Sequence, residues 1–576
     1  MNIFKKSGFK SCGLVAAILA LGAGALALTG CNDFLDQEVL GNNTADNFYD
    51  TKYKLQSALN ATYDILQTDA LNNSDWRFGE ALGDHVDGAD EGLTSHMGQL
   101  SHFRFNTSNT VILDRWKIYY KGIHRANQVI ANAHRVRLST NDYQQYREVR
   151  EILGQAKFLR AFFYFNLVKT FGGVPIRPET ETVEGLVVPR STREETYAYI
   201  EKDLREAAIM LPNRFTGSNC GKAGSGAAVA LLMKVLMYQA TPGELSDKWE
   251  QMVQMGGYFV KGNSMTLKEM LDYPARYTDA DGNVEDWEEL RKALWFKPQA
   301  LNSESDPYEG PDFECPKLSN AYSLDYKDAY GTPLTYDQQF YSQGEFCSAS
   351  IFEIVFKESG DGTSGDTNEG TGIYQDFQRV ESQIWSTSDY TNRIFGSDKR
   401  KDFTIGHHET LPDFDNTEIG SGRVLSLKWY IPRKDRPTYK GDSDKNRRLI
   451  RMPEVVLMYA EALNECGHGA EALEQLNSNK KVVNAINNSS TLYNGGGYGY
   501  MRNQIWSERE MELAFEWDRF FDIVRQGRAK EILRSYADKK SNHRGLYFRE
   551  GINEVFPIPQ TEIDVSNGVV TQNPGY

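Results

Sequence analysis

Apolar side chains recur at three- and four-residue steps near both ends of the chain, the spacing that stacks them on one face of an α-helix. Ile152, Ala156, Leu159 and Phe163 keep that spacing without a break. The same period predicts helices over residues 53–67, 116–136, 149–171, 192–211, 226–239, 449–466, 470–484 and 507–533. Gly172-Gly173-Val174-Pro175 ends the third of these, because glycine frees the backbone and proline cannot continue the hydrogen-bond ladder. Short helix pairs of roughly tetratricopeptide length predict a mainly α fold of tetratricopeptide-like helical repeats, although the full Trp-Leu-Gly-Tyr consensus is absent.

The middle of the chain departs from this period. Residues 256–450 are rich in Gly, Asp, Asn, Ser, Tyr and Pro, and hold only a few short strand-like runs such as Ile351-Phe352-Glu353-Ile354-Val355-Phe356. Gly360-Asp361-Gly362-Thr363-Ser364-Gly365-Asp366 reads as a loop. Long loops inside a packed protein are uncommon unless functional or disordered, and aromatic-laced loops on a rigid helical frame are where a ligand site is expected. The expected organisation is a leader over residues 1–30, an N-terminal helical region over 31–240, and a C-terminal region over 241–576 that carries the loop-rich insert. The last two are expected to form one globule.

The N-terminus reads as an address. Lys5, Lys6 and Lys10 precede an apolar run from Gly13 to Leu28, which ends in Leu28-Thr29-Gly30-Cys31. That run is shorter than the ~20 residues of a spanning helix and has the form of an export signal. A cysteine at the cut resembles the lipobox of bacterial lipoproteins, which implies that Cys31 takes a diacylglyceryl group and further acylation such as palmitate. At ~0.8 kcal/mol per buried methylene, two or three acyl chains hold a soluble domain on a membrane where one would not. Asn32-Asp33-Phe34-Leu35-Asp36 then resembles the acidic tether of surface-exposed lipoproteins in Gram-negative bacteria.

Charge and cysteine usage narrow the classes further. The formal net charge of −15 becomes −18 once the leader, with three lysines and no carboxylate, is removed. Such a chain repels nucleic acid and anionic lipid, which argues against both as partners. Cys220, Cys315, Cys347 and Cys466 show neither CxxC nor zinc spacing, so no metal and no cofactor are expected, and a disulfide stays open. The 31 Tyr, 29 Phe and 9 Trp mostly belong in the core, yet a surplus of Tyr and Trp also suits stacking on sugar rings.

Segments along the whole chain, taken in order, resemble the SusD/RagB family, the nutrient-binding lipoproteins of paired outer-membrane uptake systems. Trp116, Tyr120, Ile123 and Asn127 match its early helix, and Gly154-Gln155-Ala156-Lys157-Phe158-Leu159-Arg160-Ala161-Phe162-Phe163-Tyr164-Phe165 with Phe171-Gly172-Gly173-Val174-Pro175 its N-terminal stretch. Gly221-Lys222-Ala223 through Ala230-Leu231 to Tyr238 is similar to the next helix. Arg448-Leu449-Ile450-Arg451 with Glu454, and Tyr459-Ala460-Glu461-Ala462-Leu463-Asn464-Glu465, resemble the C-terminal half. So do Glu508-Arg509, Glu512-Leu513-Ala514-Phe515-Glu516, Arg519 to Arg525, Phe556-Pro557-Ile558-Pro559 and Gln572-Asn573-Pro574-Gly575-Tyr576. The resemblance implies a surface lipoprotein of the outer membrane, not an enzyme. It would bind an oligosaccharide or polysaccharide and deliver it to a SusC-like, TonB-dependent outer-membrane transporter.

Read bottom-up, the charged pattern is structural. Arg509/Glu512, Glu516/Arg519, Arg519/Asp522 and Asp522/Arg525 stand three apart, so an ion-pair ladder along one helix face is expected. Glu454 and Glu461 are expected to meet arginines of other helices. Enzymatic motifs fail one by one: there is no Gly-x-Ser-x-Gly and no HExxH, and His407-His408-Glu409 is adjacent rather than one turn apart. Gly217-Ser218-Asn219-Cys220-Gly221-Lys222-Ala223 lacks the first glycine and the hydroxyl of a phosphate loop. Asp279-x-Asp281-x-Asn283 has Val284 where a calcium loop needs glycine, so a surface turn is expected.

The expected glycan site combines two regions. Trp76, Arg77, Asp84 and His85, with Asp87, Asp90 and Glu91, are read as a polar loop between the first two long helices. Trp287, Trp295, Tyr308, Tyr326, Trp385 and Tyr390 are the aromatic candidates of the middle loops. Sugar recognition sets an aromatic plane against C–H faces while carboxylates, amides and arginine grip hydroxyls. In the family this first inter-helix region and the middle loops together form the ligand site. Its tryptophan-rich stretch is not reproduced here, and Phe103 and Phe105 stand near its place. Two rivals stay open: a glycoside hydrolase, which needs two facing carboxylates about 5–10 Å apart, and a repeat scaffold that binds only proteins.

Overall fold

Helices begin where a side-chain oxygen can take up a free N–H of the first turn. Helix α1 (Lys52–Gln67) starts behind Thr51, whose hydroxyl accepts from the Lys54 N–H, and ends at Thr68. Thr68 also caps α2 (Asp69–Gly79) by accepting from the Leu71 N–H, so one residue closes a helix and opens the next. Then come α3 (His96–Ser101), α4 (Thr110–Asn132) behind the Asn109 cap, and α5 (Tyr143–Phe171). Gly172 ends α5 in a left-handed conformation at φ +72°, as the Gly-Gly sequence predicts. The Thr192/Glu195 capping box opens α6 (Arg193–Met210), followed by α7 (Ser225–Met237) and α8 (Asp247–Gly256).

The insert holds α9 (Leu267–Leu271), α10 (Trp287–Ala293), β1 (Ser350–Ile354), α11 (Arg400–Thr404), β2 (Ile405–His407) and β3 (Val424–Ser426). Strand β4 (Arg447–Arg451) leads into α12 (Met452–Glu465) and α13 (Gly469–Asn487). Helices α14 (Tyr498–Glu512), α15 (Arg519–Arg525), α16 (Ala529–Lys539) and α17 (Gln560–Val565) complete the chain. This computed structural model describes residues 48–86, 93–138, 143–180, 187–279, 281–294, 312–357, 394–396, 398–407, 424–431, 443–487, 492–539 and 545–576. Residues Asp50–Tyr576 form one compact unit, and Phe48 and Tyr49, set edge to face, belong to a separate one. The lipobox around Cys31 and the 360–366 loop lie outside the described residues.

The fold is mainly α and of the tetratricopeptide-like class, with a few short strands. Successive helices pack side by side: α4 on α5, α5 on α6, α6 on α7, and α12 on α13. Helix α1 covers α4 and α5, while α8 bridges α7 and α12. Leu457, Ala460, Leu476, Met501 and Ile505 form a dry core where α12, α13 and α14 meet. Antiparallel pairing of β1 with β4, from Ser350↔Arg451 to Ile354↔Arg447, ties the insert to the start of α12. The strand-like run at 351–356 is β1. Among the described residues, no helix is long and apolar enough to cross a membrane.

Two sequence expectations need correction. The helix expected over 449–466 begins only at Met452, since 447–451 pair with β1 and Pro453 sits in the first turn. The helix expected over 507–533 is three helices, broken over 513–518 where Phe515 and Trp517 adopt φ +63° and +68°. Backbone groups there bond outward instead of along a helix. The Glu512 carbonyl accepts from Lys428 Nζ (2.6 Å) and Arg451 Nη2 (3.1 Å), and the Phe515 carbonyl accepts from Trp429 Nε1 (2.6 Å).

The expected ladder forms only in part. Of its four pairs only Asp522/Arg525 forms as predicted, at 2.7 Å. The other carboxylates reach across the sequence. Arg400 binds Glu508 (2.8 Å), Glu512 (2.9 Å) and Asp398 (2.9 Å), while Arg451 binds Glu512 (3.1 Å) and Glu516 (2.5 Å). Asp518 accepts from Lys169 (3.0 Å) and Lys234 (2.9 Å). Glu461 meets Arg525 at 2.7 Å and Glu454 meets Lys234 at 2.9 Å, so both do pair between helices. Burial pushes the Glu508 carboxyl upward, but the Arg400 and Lys480 charges outweigh it and hold the group below its ordinary value.

Removing one partner of such a buried cluster leaves uncompensated charge. Arg400→Met removes the guanidinium that three buried carboxylates share, leaving Arg451 and Lys480 to balance them, and should cost about 3–5 kcal/mol. Lys292→Ala breaks an exposed pair with Glu289 and should change stability by less than about 1 kcal/mol. Urea midpoints of the two variants test this, and equal midpoints would contradict it.

Candidate glycan-binding site

The region read as a polar loop around Trp76 is the helix α2, and most of it is inside. Its polar side chains are buried because each has a distant partner. Asn72 Oδ1 accepts from Arg447 Nη1 at 2.9 Å, and Ser74 Oγ accepts from Arg115 Nη1 at 2.9 Å. Asp75 is bound by Arg115 (3.3 Å), Arg447 (3.0 Å) and the Tyr119 hydroxyl. Helix α2 is thereby fixed to α4 and β4. Its last residue, Gly79, lies against the Trp517 carbonyl, where an added Cβ would come within 1.8 Å, so no larger residue fits.

Trp76 is 5% exposed and turns its ring into the protein, so it offers no face to a sugar. Asp84 is also internal, with its carboxylate accepting from Arg519 Nε (2.7 Å) and Nη2 (3.3 Å). His85 Nδ1 lies 2.9 Å from Glu80 and its Nε2 3.6 Å from Glu510, which also meets Arg519 Nη2 at 2.6 Å. Glu80 in turn accepts the Trp517 N–H at 3.2 Å. Tyr326, at 2% exposure, packs edge-on to Tyr336 in the core. These placements correct the reading of Trp76, Asp84, His85 and Tyr326 as exposed ligand contacts.

Asp84, His85 and Glu510 bring ligand-type atoms within 4.8 Å of one another. Arg519 bridges the two carboxylates, so the cluster already holds its cation and the arrangement is an ion-pair knot. Burial and the Arg519 charge oppose protonation of His85, but Glu80 and Glu510 outweigh them and raise its pKa above the ordinary value.

What faces outward is a different set. Arg77 and Trp287 are half-buried. Trp287 opens α10 behind the Asp286 cap and sits edge-on to Tyr273 at 5.5 Å. Phe103 and Phe105 point inward, Phe103 against Phe520 (5.8 Å) and Phe548 (5.1 Å), and Phe105 against Phe556 (5.2 Å) and Tyr576 (6.0 Å). Arg104, between them, is exposed and sets its guanidinium 3.6 Å from the ring centroid of Tyr547, which is 40% exposed. The sequence reading missed this cation–π pair, since nothing in the local pattern marks Tyr547 as outward while its neighbour Phe548 is core. Trp295, Tyr308, Trp385, Tyr390, Asp87, Asp90 and Glu91 lie outside the described residues.

The ion-pair knot yields two expected outcomes. Asp84→Ala removes the carboxylate that Arg519 binds through Nε and leaves the buried charges of the knot out of balance, which should destabilise the fold by up to about 3–5 kcal/mol, measured by chemical denaturation. A raised folded pKa means that protonated His85 adds stability in full below its unfolded pKa of about 6.5, and that this is lost as pH rises through the folded value. The stability gap between wild type and His85→Ala should therefore be fully present below about pH 6.5 and shrink as the pH rises above it. A gap that widens over that range would show the opposite linkage.

Comparison with known proteins places these features. Residues 275–576 match the family model described as the SusD family, and residues 33–237 match one described as starch-binding, associating with outer membrane. SusD-like protein P2 of Formosa agariphila is 25% identical over 560 residues, spanning 96% of this chain and 98% of that one. SusD-like protein P25 of the same organism is 21% identical, over 93% and 94% of the two chains. Among solved structures, a laminarin binding SusD-like protein superposes with TM-score 0.66 at 22% identity, covering 92% of this chain and all of that one. Surface glycan-binding protein A from Bacteroides fluxus gives TM-score 0.65 at 20% identity, over 91% and 100%. Its counterpart from Bacteroides thetaiotaomicron, in complex with laminarihexaose, gives 0.63 at 19%, over 91% and 99%. With one family model matched over more than half its length and a second over its N-terminal region, the chain belongs to the SusD family.

Proposed function

We propose that this protein binds an oligosaccharide or polysaccharide at the outside of the outer membrane and passes it to a TonB-dependent transporter, breaking no bond itself. Family membership carries this reading. The fold neighbours whose names include laminarin or laminarihexaose make a β-glucan the first ligand to try. A non-catalytic role agrees with the pairing of Asp84, Glu508, Glu510 and Glu512, each of which has an arginine partner. A carboxylate so paired is a poor general acid. Trp287 and the Arg104–Tyr547 pair are the described candidates for the sugar-facing surface, with Arg77 beside them in sequence to the knot. Trp295, Tyr308, Trp385 and Tyr390 keep their place in the proposal.

Handing a ligand onward requires loose binding, with a Kd of roughly micromolar to millimolar. Calorimetry of the exported protein in detergent with laminarihexaose, xylan and mannan fragments tests the class. Tyr547→Ala removes one stacking face and should weaken binding roughly 30-fold, the equivalent of about 2 kcal/mol for an aromatic anchor, with circular dichroism unchanged. Unaltered affinity would remove Tyr547 from the site.

Lipidation at Cys31 is the proposed attachment. Cys31→Ala should carry no acyl label after growth with labelled palmitate and should leave the membrane fraction. Label recovered on that variant would contradict it.

A further inference from the structure

A cavity of about 540 Å³ opens among α1, α4, the 220–222 turn and the end of β1, and shares no residue with the surface proposed above. Asn60, Asp64 and Gln67 stand four and three residues apart on α1, so one face of that helix forms a wall. Arg125 reaches over from α4 and donates to the Asp64 carboxylate at 2.9 Å and to the Ala61 carbonyl. Gln67 is steadied by its amide N–H on the Val355 carbonyl at 2.7 Å, and Lys222 by donation to Asn219 at 2.8 Å. Leu66, Ile354 and Val355 supply apolar surface.

This inventory selects a ligand. Glu353 also lines the cavity, but its carboxylate is taken up by the Phe346 N–H (2.9 Å), the Ser350 hydroxyl and the Asn446 amide (3.1 Å). The Asp64–Arg125 pair, the Lys222 ammonium and the Asn60 and Gln67 amides then line the rest beside apolar surface; each has a protein partner already, Asn60 Oδ1 accepting from Gln56 Nε2 at 2.8 Å, and each has further donor or acceptor capacity. Arg125 is already paired with Asp64, so the cavity is not built for an anion. Alternating donors and acceptors suit neighbouring hydroxyls, which donate to carboxylate or amide oxygens and accept from guanidinium or ammonium. The volume lies within the roughly 300–1,000 Å³ of small-molecule sites and excludes a folded partner. Tyr63, the one ring in the lining, is committed through its hydroxyl to Gln155 and the Ala223 N–H, both at 3.0 Å, and provides no stacking platform.

We infer that this cavity is a second saccharide pocket, gripping a neutral mono- or disaccharide unit by hydrogen bonds where the other surface stacks on rings. The inference rests on the glycan-binding reading. It gives the protein two contacts on one polysaccharide or a separate grip on a chain end.

Saturation-transfer NMR on the full exported protein, with glucose, galactose, mannose and xylose and the disaccharides laminaribiose, cellobiose and maltose, tests it. Ala61 is exposed on α1, so Ala61→Trp fills the cavity without entering the core. At least one of these sugars should give a signal that Ala61→Trp lowers at least tenfold, that Lys222→Met also lowers, and that Tyr547→Ala leaves intact. A signal that survives Ala61→Trp, or that vanishes in Tyr547→Ala alone, overturns the pocket. No signal from any small sugar while laminarihexaose still binds overturns the pocket but not the glycan reading. Failure of every saccharide, long or short, overturns both.

Discussion

Everything in this fold closes around the carboxylates between Glu508 and Asp522. Taking a carboxylate out of water costs several kcal/mol even after relaxation, so each must meet a cation inside. A helical neighbour serves Asp522, through Arg525, but not the carboxylates from Glu508 to Asp518. The cations therefore come from elsewhere: Arg400 from α11, Arg451 from β4, Lys169 from α5, Lys234 from α7. Both halves of the chain and the insert are drawn to one place by this requirement. The left-handed residues Phe515 and Trp517 persist because their surroundings over-determine them. Trp517 stacks on Trp429 at 4.2 Å, and Arg447 lies 4.1 Å from the same ring.

The outward surface inherits its rigidity from that interior. Gly79 lies on the Trp517 carbonyl and Glu80 binds the Trp517 N–H, which fixes the end of α2 and the start of the following loop. Arg519 then ties Asp84 to Glu510. At the Arg104–Tyr547 pair, inward phenylalanines on both segments hold outward neighbours in place, with Phe103 on Phe548 beneath Arg104 on Tyr547. An exposed ring already fixed in position loses little freedom when a sugar settles on it, and a shallow site gains affinity that way.

Strong amphipathic period made the scaffold helices readable. Residues 53–67, 192–211 and 226–239 are helical to within two residues of expectation, and the 351–356 strand is β1. Failures came where tertiary partners override local pattern. Trp76 and Arg77 look like part of a polar loop, yet they lie on a helix whose Asn72 and Ser74 are held inside by Arg447 and Arg115. Asp84 looks like a ligand carboxylate until Arg519, 435 residues away, is seen beside it. The three-residue charge spacing at 509–525 is realised at Asp522 and Arg525, while at the other positions partners distant in sequence take the charged groups. Exposure of Arg104 and Tyr547 leaves no periodic trace at all.

The account separates a buried electrostatic frame from an outward sugar-binding surface, and hydrogen exchange during ligand titration tests that separation directly. Saturating laminarihexaose, or whichever glycan binds, should slow exchange in the segments around 103–106, 286–290 and 545–548. Exchange over 508–525 should stay unchanged. Protection confined to 508–525, or absent from all of the outward segments in a protein that demonstrably binds glycan, would contradict it.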